Sequence, residues 1–111
     1  MLKVYLISCG EDDDKIYKIG YTKNTIEKRI KQLKTGNHQD FKVESVYETK
    51  WATKMEAVFH NRFKHSKVSG EWFRLEPEVV KNFMKDCESL SLYYEDLLKN
   101  STFSNPKTFM I

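Results

Sequence analysis

Alternation of apolar and polar residues predicts strands in the first half of the chain. Residues 2–8 form an apolar run interrupted only by Lys3, and residues 15–21 are rich in β-branched and aromatic side chains. The acidic turn between these segments predicts that they pair as a hairpin. Residues 41–50 alternate apolar and charged side chains, which predicts a half-buried third strand.

The first predicted helix follows the second strand and spans residues 25–34. Asn24, with Glu27 three residues later, predicts a capped start, because the Asn side chain can accept a free backbone N–H. An apolar stripe predicts that one side of this helix faces the core. The stripe consists of Ile26, Ile30 and Leu33.

Helical periodicity also predicts the later elements. Residues 52–64 predict a second helix, Pro77 suits the first turn of a third, and residues 90–98 predict a fourth. Residues 70–75 predict a short strand, whereas the tail from Ser101 lacks periodicity and is expected to be irregular. The second helix is expected to bury Met55, Val58, Phe59 and Phe63.

The distribution of charge changes the picture more than the net charge does. The 111 residues carry a formal charge of +3 and are 40% hydrophobic, which indicates one globular domain with a real core. Within residues 15–34 every charged residue is basic except Glu27, whereas acidic residues outnumber basic ones from residue 76 onward. One end of the molecule is therefore expected to attract polyanions. Lysines that merely solvate a helix face are the alternative interpretation.

Two classes of protein are disfavoured by the sequence. No apolar run approaches the roughly 18 residues of a membrane span, and the N-terminus does not resemble a secretory signal. We therefore expect an intracellular protein, cytoplasmic or nuclear, that is not secreted and has no membrane partner. Cys9 and Cys87 have no Cys or His at ligand spacing, which predicts thiols outside any disulfide or zinc site.

Short motifs occur in a specific order along residues 3–75. They are Val4-Tyr5, Lys18-Ile19-Gly20 with Thr22, Arg29, Glu56 and Gly70-Glu71-Trp72-Phe73. Their order and spacing resemble the GIY-YIG nuclease superfamily, in the divergent branch that includes a phage DNA-binding domain and fungal relatives. The resemblance implies a phage, viral or mobile-element setting.

The same resemblance implies a fold class, and the elements predicted after residue 75 complete the expected domain organisation. It implies a small α/β (α+β) domain with a central three-stranded antiparallel sheet flanked by helices. Residues 1–76 would form this core, and residues 77–100 would extend it with C-terminal helices. Residues 101–111 would form an irregular tail.

The resemblance further implies a metal-dependent DNA endonuclease, a hydrolase that nicks one strand at a time. Tyr5 would help to activate water, and nearby Lys18 and Arg29 are expected to lower the pKa of its phenol. Arg29 would bind the scissile phosphate through its planar fork. Glu56 would hold Mg²⁺, with Mn²⁺ as a substitute. His60 would contact the leaving group or orient Glu56.

Some features of the chain leave alternatives open. Lys18 stands where the family usually has a tyrosine and could act as a cation or as a proton acceptor, and Asn82 is only a loose match for a late family asparagine. A non-catalytic DNA-binding module on the same fold is the alternative function. A protein-interaction domain that uses the acidic C-terminal helices is a third, and a homodimer could cut both strands. The expected DNA contacts are Thr22, Lys23, Lys28, Lys31 and Lys34.

Overall fold

The computed structural model describes residues 1–34 and 40–103. Its strands are β1 (Lys3–Cys9), β2 (Ile16–Thr22), β3 (Phe41–Glu48), β4 (Lys67–Ser69) and β5 (Trp72–Phe73). Its helices are α1 (Ile26–Lys34), α2 (Ala52–Arg62), α3 (Pro77–Lys81) and α4 (Phe83–Phe103).

Five strands form one antiparallel sheet within the described residues, in the order β3-β1-β2-β5-β4. The α+β class is as expected, but the expectation of three strands is wrong. The hairpin β4–β5 adds the two extra strands, because Trp72 and Phe73 pair with Lys18 and Tyr17 on the edge of β2. Gly70 lets the hairpin turn, with a φ of +55° that favours glycine.

The predicted hairpin of β1 and β2 is confirmed, and it sets the register of the sheet centre. Tyr5 lies opposite Gly20, and Leu6 lies opposite Ile19. β1 is the central strand of the long trio and is buried from Val4 to Cys9. Elements on both faces of the sheet therefore protect β1 from water, as its apolar sequence requires.

The main core lies between one face of the sheet, α2 and the beginning of α4. Phe59 of α2 packs against Phe83 with ring centroids 4.9 Å apart. The predicted inner face of α2 is largely correct: Met55 and Phe59 are fully buried, and Val58 and Phe63 are half-buried. The buried core cluster contains Val4, Leu6, Tyr17, Ile19, Ala52, Met55, Phe59, Phe83 and Cys87.

Helix α1 covers the sheet more loosely than the sequence predicts. Ile26, Ile30 and Leu33 do share one side, but all of them are only half-buried. The helix therefore contributes less apolar burial than α2 does. Its weak burial leaves most of its charged side chains in water.

The C-terminal helices differ from the prediction. The chain breaks at Asn82 between α3 and α4, and α4 then runs without interruption to Phe103. Neither glycine nor proline occurs between residues 83 and 103, so no residue there ends the helix. The expected irregular tail is thus wrong for residues 101–103, and residues 104–111 lie outside the described part.

Side chains on α4 attach it to the rest of the domain. Trp51 donates its indole N–H to Glu95 at 3.0 Å, and its ring lies 5.4 Å from that of Tyr94. Tyr47 of β3 donates to Glu88 at 3.0 Å. These contacts hold the first four turns of α4 near β3 and the start of α2.

The sequence predicted neither a membrane-spanning helix nor a disulfide bond. In the described residues, no helix combines the length and apolar character that crossing a membrane requires. Cys9 and Cys87 are buried thiols, and neither forms a disulfide in this part of the chain, as predicted. Burial raises the pKa of Cys87 to about 12, so this thiol stays protonated near neutral pH.

Candidate functional site

A cleft of about 470 Å³ lies where β2, α1, α2 and the β4–β5 turn meet. Gly20, Tyr21, Arg29, Glu56 and Glu71 line it. These residues are separated by up to half the chain in sequence. The cleft therefore forms only when the chain folds. Arg29 supplies its cation, and Glu56 and Glu71 supply its carboxylates.

Gly20 forms the floor of the cleft, and the ring of Tyr5 packs behind it. Tyr5 is fully buried, and the register of β1 and β2 sets its ring over Gly20. A Cβ atom at position 20 would lie 2.6 Å from Cζ of Tyr5, closer than van der Waals contact allows. Only glycine at this position leaves room for the tyrosine ring.

Arg29 reaches the floor from α1. Its Nε donates to the hydroxyl of Tyr5 at 3.1 Å, and its Nη1 lies 3.4 Å from Oε1 of Gln32. The guanidinium is therefore held by groups on both β1 and α1. A planar cation held in this way is well suited to bind a phosphate.

The start of α1 determines where Arg29 points. Thr25 is the N-cap: its hydroxyl accepts from the backbone N–H of Lys28 at 3.2 Å, and its carbonyl accepts from that of Arg29 at 3.1 Å. The predicted cap at Asn24 is wrong. Asn24 instead donates its backbone N–H to the hydroxyl of Thr22 at 3.1 Å, which forms the turn before the helix.

The pKa of Tyr5 is raised, not lowered as the sequence predicted. Burial is the largest cause, and it outweighs the hydrogen bond and charge of Arg29, which lower the pKa. Tyr5 is therefore a neutral phenol near neutral pH. Its oxygen accepts from Nε of Arg29, so the buried phenol helps to hold the guanidinium in place.

The acidic side of the cleft is a cluster of Glu56, His60 and Glu71. One potential ligand atom from each residue lies within 4.8 Å of the other two. Glu56 and His60 are one turn apart on α2, and Glu71 enters from the β4–β5 turn. Two carboxylate oxygens and one imidazole nitrogen form a donor set that fits a divalent cation.

The imidazole of His60 has a defined orientation. Its Nε2 lies 2.7 Å from the carbonyl oxygen of Ile19, which can only accept, so Nε2 carries the proton. The ring also meets Phe73 edge-on, with centroids 5.0 Å apart. Nδ1 is therefore the nitrogen with an available lone pair.

Lys18 and Glu71 form an ion pair that sequence reasoning missed. Lys18 is only 6% exposed, and its ammonium hydrogen-bonds Oε2 of Glu71 and lies 5.9 Å from the centre of the Trp72 ring. The hydrogen bond from Lys18 is the largest cause that lowers the pKa of Glu71. A buried lysine requires a charged partner. Glu71, the acidic residue of the Gly70-Glu71-Trp72-Phe73 motif, was the one signal in the sequence for such a partner.

Of the predicted catalytic residues, Arg29 and Glu56 line the cleft, and the others lie beside residues that line it: Tyr5, Lys18 and His60. The predicted DNA contacts are distributed differently. Thr22 is buried, and its hydroxyl serves the turn before α1. The lysines predicted to contact phosphate are all exposed on or beside α1, and Lys34 lies 3.8 Å from Asp40. They are Lys23, Lys28, Lys31 and Lys34.

Replacement of Glu56 by glutamine is expected to stabilise the folded protein at neutral pH. Burial and the charge of Glu71 raise the pKa of Glu56, so its ionisation is less favourable in the folded chain than in the unfolded one. The raised pKa contributes stability below the unfolded-state pKa, and that contribution is lost as the pH rises through the folded-state pKa. Glu56→Gln should therefore melt a few degrees above wild type at about pH 7 and close to it at about pH 4.

Thermal unfolding followed by circular dichroism measures this difference. Glu48→Gln is the matched control, because Glu48 is an exposed carboxylate of β3 outside the cluster. It should change the melting temperature little at either pH. A lower melting temperature for Glu56→Gln than for wild type at neutral pH would contradict the prediction.

Comparison with known proteins agrees with a phage or viral setting. Residues 3–88 match the T5orf172 domain family. The 315L protein of Invertebrate iridescent virus 6, which is named for a KilA-N domain, is 37% identical over 91 residues. That match covers 78% of this chain but 39% of the viral protein, so the chain spans well under half of this relative.

No solved structure matches the chain significantly. The family match begins with β1, ends within α4 and includes every residue of the cleft. It also covers more than half of the chain. The chain therefore belongs to the T5orf172 domain family.

Proposed function

We propose that this chain is a DNA-binding domain whose cleft and adjoining helix α1 contact the phosphate backbone. The observation that carries the proposal is the row of exposed lysines beside Arg29, the cation that lines the cleft. Lys23 precedes α1, and Lys28 is next to Arg29 in sequence. A strand of DNA that places one phosphate at Arg29 would meet these side chains at neighbouring phosphates.

Binding of this kind depends on charge rather than on base sequence. Phosphate contacts from lysine and arginine position a protein on DNA and carry no direct sequence information. They release counterions, so the affinity falls steeply with salt. Family membership and the resemblance to the branch with a phage DNA-binding domain also support the proposal.

The DNA affinity of the wild-type protein is expected to decrease linearly with the logarithm of the salt concentration. Each lysine that contacts a phosphate contributes about 0.9 to the slope. Lys23→Gln/Lys28→Gln should therefore reduce the slope by about 2. Fluorescence anisotropy of a labelled duplex at several salt concentrations measures both slopes.

The matched control removes two exposed lysines from the C-terminal helices. Lys81→Gln/Lys85→Gln lowers the net charge equally but alters α3 and α4. Its slope should equal that of wild type. Equal slopes for both double variants would show that binding is diffuse and not centred on α1, and no binding at low salt would refute the DNA-binding proposal.

A second function is favoured by the groups in the cleft. We propose that the domain also hydrolyses phosphodiester bonds with a divalent metal ion, one strand at a time, as its resemblance to GIY-YIG nucleases implies. The specific observation is that Arg29, which is hydrogen-bonded to Tyr5, lines the same cleft as Glu56 and Glu71, which form a cluster with His60. Mg²⁺ is the expected ion, Mn²⁺ its substitute, and Glu56 the expected ligand.

The side chains of the cleft have separate tasks in this proposal. Arg29 binds the scissile phosphate and offsets its charge, and the buried phenol of Tyr5 accepts from Nε of Arg29 and so orients the guanidinium. The metal ion would offset negative charge that develops during the reaction. The raised pKa of Tyr5 disfavours the phenol as a proton acceptor before DNA binds.

Supercoiled plasmid tests the second function directly. Conversion to the open circle in Mg²⁺ or Mn²⁺, and none with a chelator, would support nicking. Binding without cleavage under every metal condition would leave the DNA-binding function and refute the nuclease.

The C-terminal helices fit a different role. α4 continues beyond residue 88, where the family match ends, and exposes Leu92, Tyr93 and Leu98. Exposed apolar side chains on a helix suit a protein partner better than DNA. The predicted protein partner and the predicted homodimer stay predictions.

A further inference from the structure

The three-residue cluster holds more donor atoms than the single expected ligand, Glu56, supplies. We infer that Glu56, His60 and Glu71 together bind one divalent transition-metal ion in preference to Mg²⁺, and that Lys18 positions Glu71 for this task. The inference deepens the proposed nuclease function and rests on it. It assigns Glu71, His60 and Lys18 roles that the sequence did not.

The distances allow one ion to contact all three side chains. Ligand atoms bound to one ion at about 2.1 Å are separated by at most about 4.2 Å. The potential ligand atoms of the cluster lie within 4.8 Å of one another. The three side chains are therefore close enough to share one ion after small adjustments.

His60 already has the arrangement of a metal-binding histidine. In such residues the second ring nitrogen donates to a carbonyl or carboxylate, which fixes the tautomer and the ring orientation. Here Nε2 donates to the carbonyl of Ile19, and Phe73 restricts rotation of the ring. Nδ1 is left as the ligand atom, and His60 lies one turn of α2 after Glu56.

Lys18 acts on Glu71 and so on the ion only indirectly. Its ammonium hydrogen-bonds Oε2 of Glu71, which restrains the carboxylate and leaves Oε1 for a metal. Because Lys18 is buried under Trp72, it cannot follow Glu71 into solvent. Glu71 is therefore held at the cluster although it is itself exposed. This makes Lys18 a positioning residue.

The imidazole decides which metal is preferred. Mg²⁺ favours oxygen ligands and keeps several waters, whereas a nitrogen donor favours transition metals. A site of two carboxylates and one imidazole should therefore bind Mn²⁺ more tightly than Mg²⁺. Removal of the imidazole nitrogen should abolish the preference for Mn²⁺ over Mg²⁺. Removal of a carboxylate should weaken the binding of both ions.

Calorimetric titration of the full chain without DNA tests the inference, with Mn²⁺ and Mg²⁺ as probes. We expect Mn²⁺ to bind at least about tenfold more tightly than Mg²⁺. His60→Gln should bring the two affinities close together, since glutamine can still donate to Ile19 but offers no imidazole. Glu71→Gln and Lys18→Met should each weaken both ions by about tenfold or more.

Two controls separate a ligand from a structural role. His65→Gln makes the same substitution at an exposed histidine outside the cluster and should leave both affinities unchanged. Pulsed electron paramagnetic resonance of Mn²⁺-loaded wild type needs no substitution in the cluster. It should show coupling to a nitrogen nucleus, and the coupling should persist in His65→Gln.

The outcomes distinguish this inference from the nuclease proposal. Equal affinities for the two ions in wild type, or absent nitrogen coupling, would overturn the three-ligand site even if Mg²⁺ supports plasmid nicking. Selective Mn²⁺ binding that depends on His60 would support the site. Failure of such a metal-loaded protein to nick plasmid would instead refute the nuclease.

Discussion

Gly20→Ala is expected to cost about 1–3 kcal/mol of unfolding free energy, the usual cost of overpacking a buried site. The added methyl group would meet the ring of Tyr5, whose Cζ lies 2.6 Å from the Cβ position. Tyr5 is fully buried, so its ring has no open space into which it can move. Urea unfolding followed by tryptophan fluorescence measures the loss.

The expected cause can be separated from a general effect of removing a glycine. Gly70→Ala is the contrasting variant: a Cβ there meets no atom within 4 Å, but φ is +55°. Gly70→Ala should lose only about 1 kcal/mol of unfolding free energy, the cost of placing a non-glycine residue at a positive φ. The double variant Gly20→Ala/Tyr5→Leu removes the clash. Its loss of unfolding free energy should therefore be smaller than the sum of the losses of the two single variants. A fully stable Gly20→Ala would mean that the tyrosine ring moves freely, contrary to the packing described.

Arg29→Ala is expected to slow plasmid nicking by at least about 100-fold, if the cleft is a nuclease site. The guanidinium would neutralise the phosphate in the proposed reaction, and its Nε donates to the Tyr5 hydroxyl at 3.1 Å. DNA affinity should fall less than the nicking rate, because the exposed lysines on and beside α1 would still contact phosphates. Single-turnover nicking with saturating protein separates the rate from the affinity.

Two further arginine variants make the test specific. Arg29→Lys keeps the charge but loses the planar fork, so nicking should stay at least about tenfold below wild type. Arg62→Ala removes an arginine that lies over Phe59 and 3.6 Å from Asp86, outside the cleft. Its nicking rate should equal that of wild type. Wild-type nicking by Arg29→Ala would refute the role of Arg29, and equal losses in both alanine variants would indicate a general effect of charge.

Local patterns were sufficient for most of the secondary structure. The β1–β2 hairpin, β3 and α2 follow from alternation, turn residues and helical periodicity, all of which act over a few neighbouring residues. The errors occur where local signals compete or are short. Asn24 and Thr25 can both cap a helix, and only the turn that Thr22 forms selects Thr25. β4 has three residues and forms because β5 pairs with the edge of β2.

The cleft could be predicted only in part. Tyr5, Lys18, Arg29 and Glu56 were named because their motifs occur in a specific order along the chain, and His60 was named because it follows Glu56 by one helical turn. Glu71 was named as part of a motif but had no assigned role. Its role depends on Lys18, which is 53 residues away in sequence and is brought to it by the pairing of β5 with β2.

The sequence by itself determined the elements of the fold and the residue types of the candidate site, because propensity, periodicity and charge are properties of short segments. Only the tertiary structure decided how those residues act on one another. Burial raises the pKa of Tyr5 although Arg29 is its neighbour, and the carbonyl of Ile19 determines which nitrogen of His60 can bind a metal. Solvent exclusion and contact distance set these properties, and both depend on segments that meet only in the folded chain.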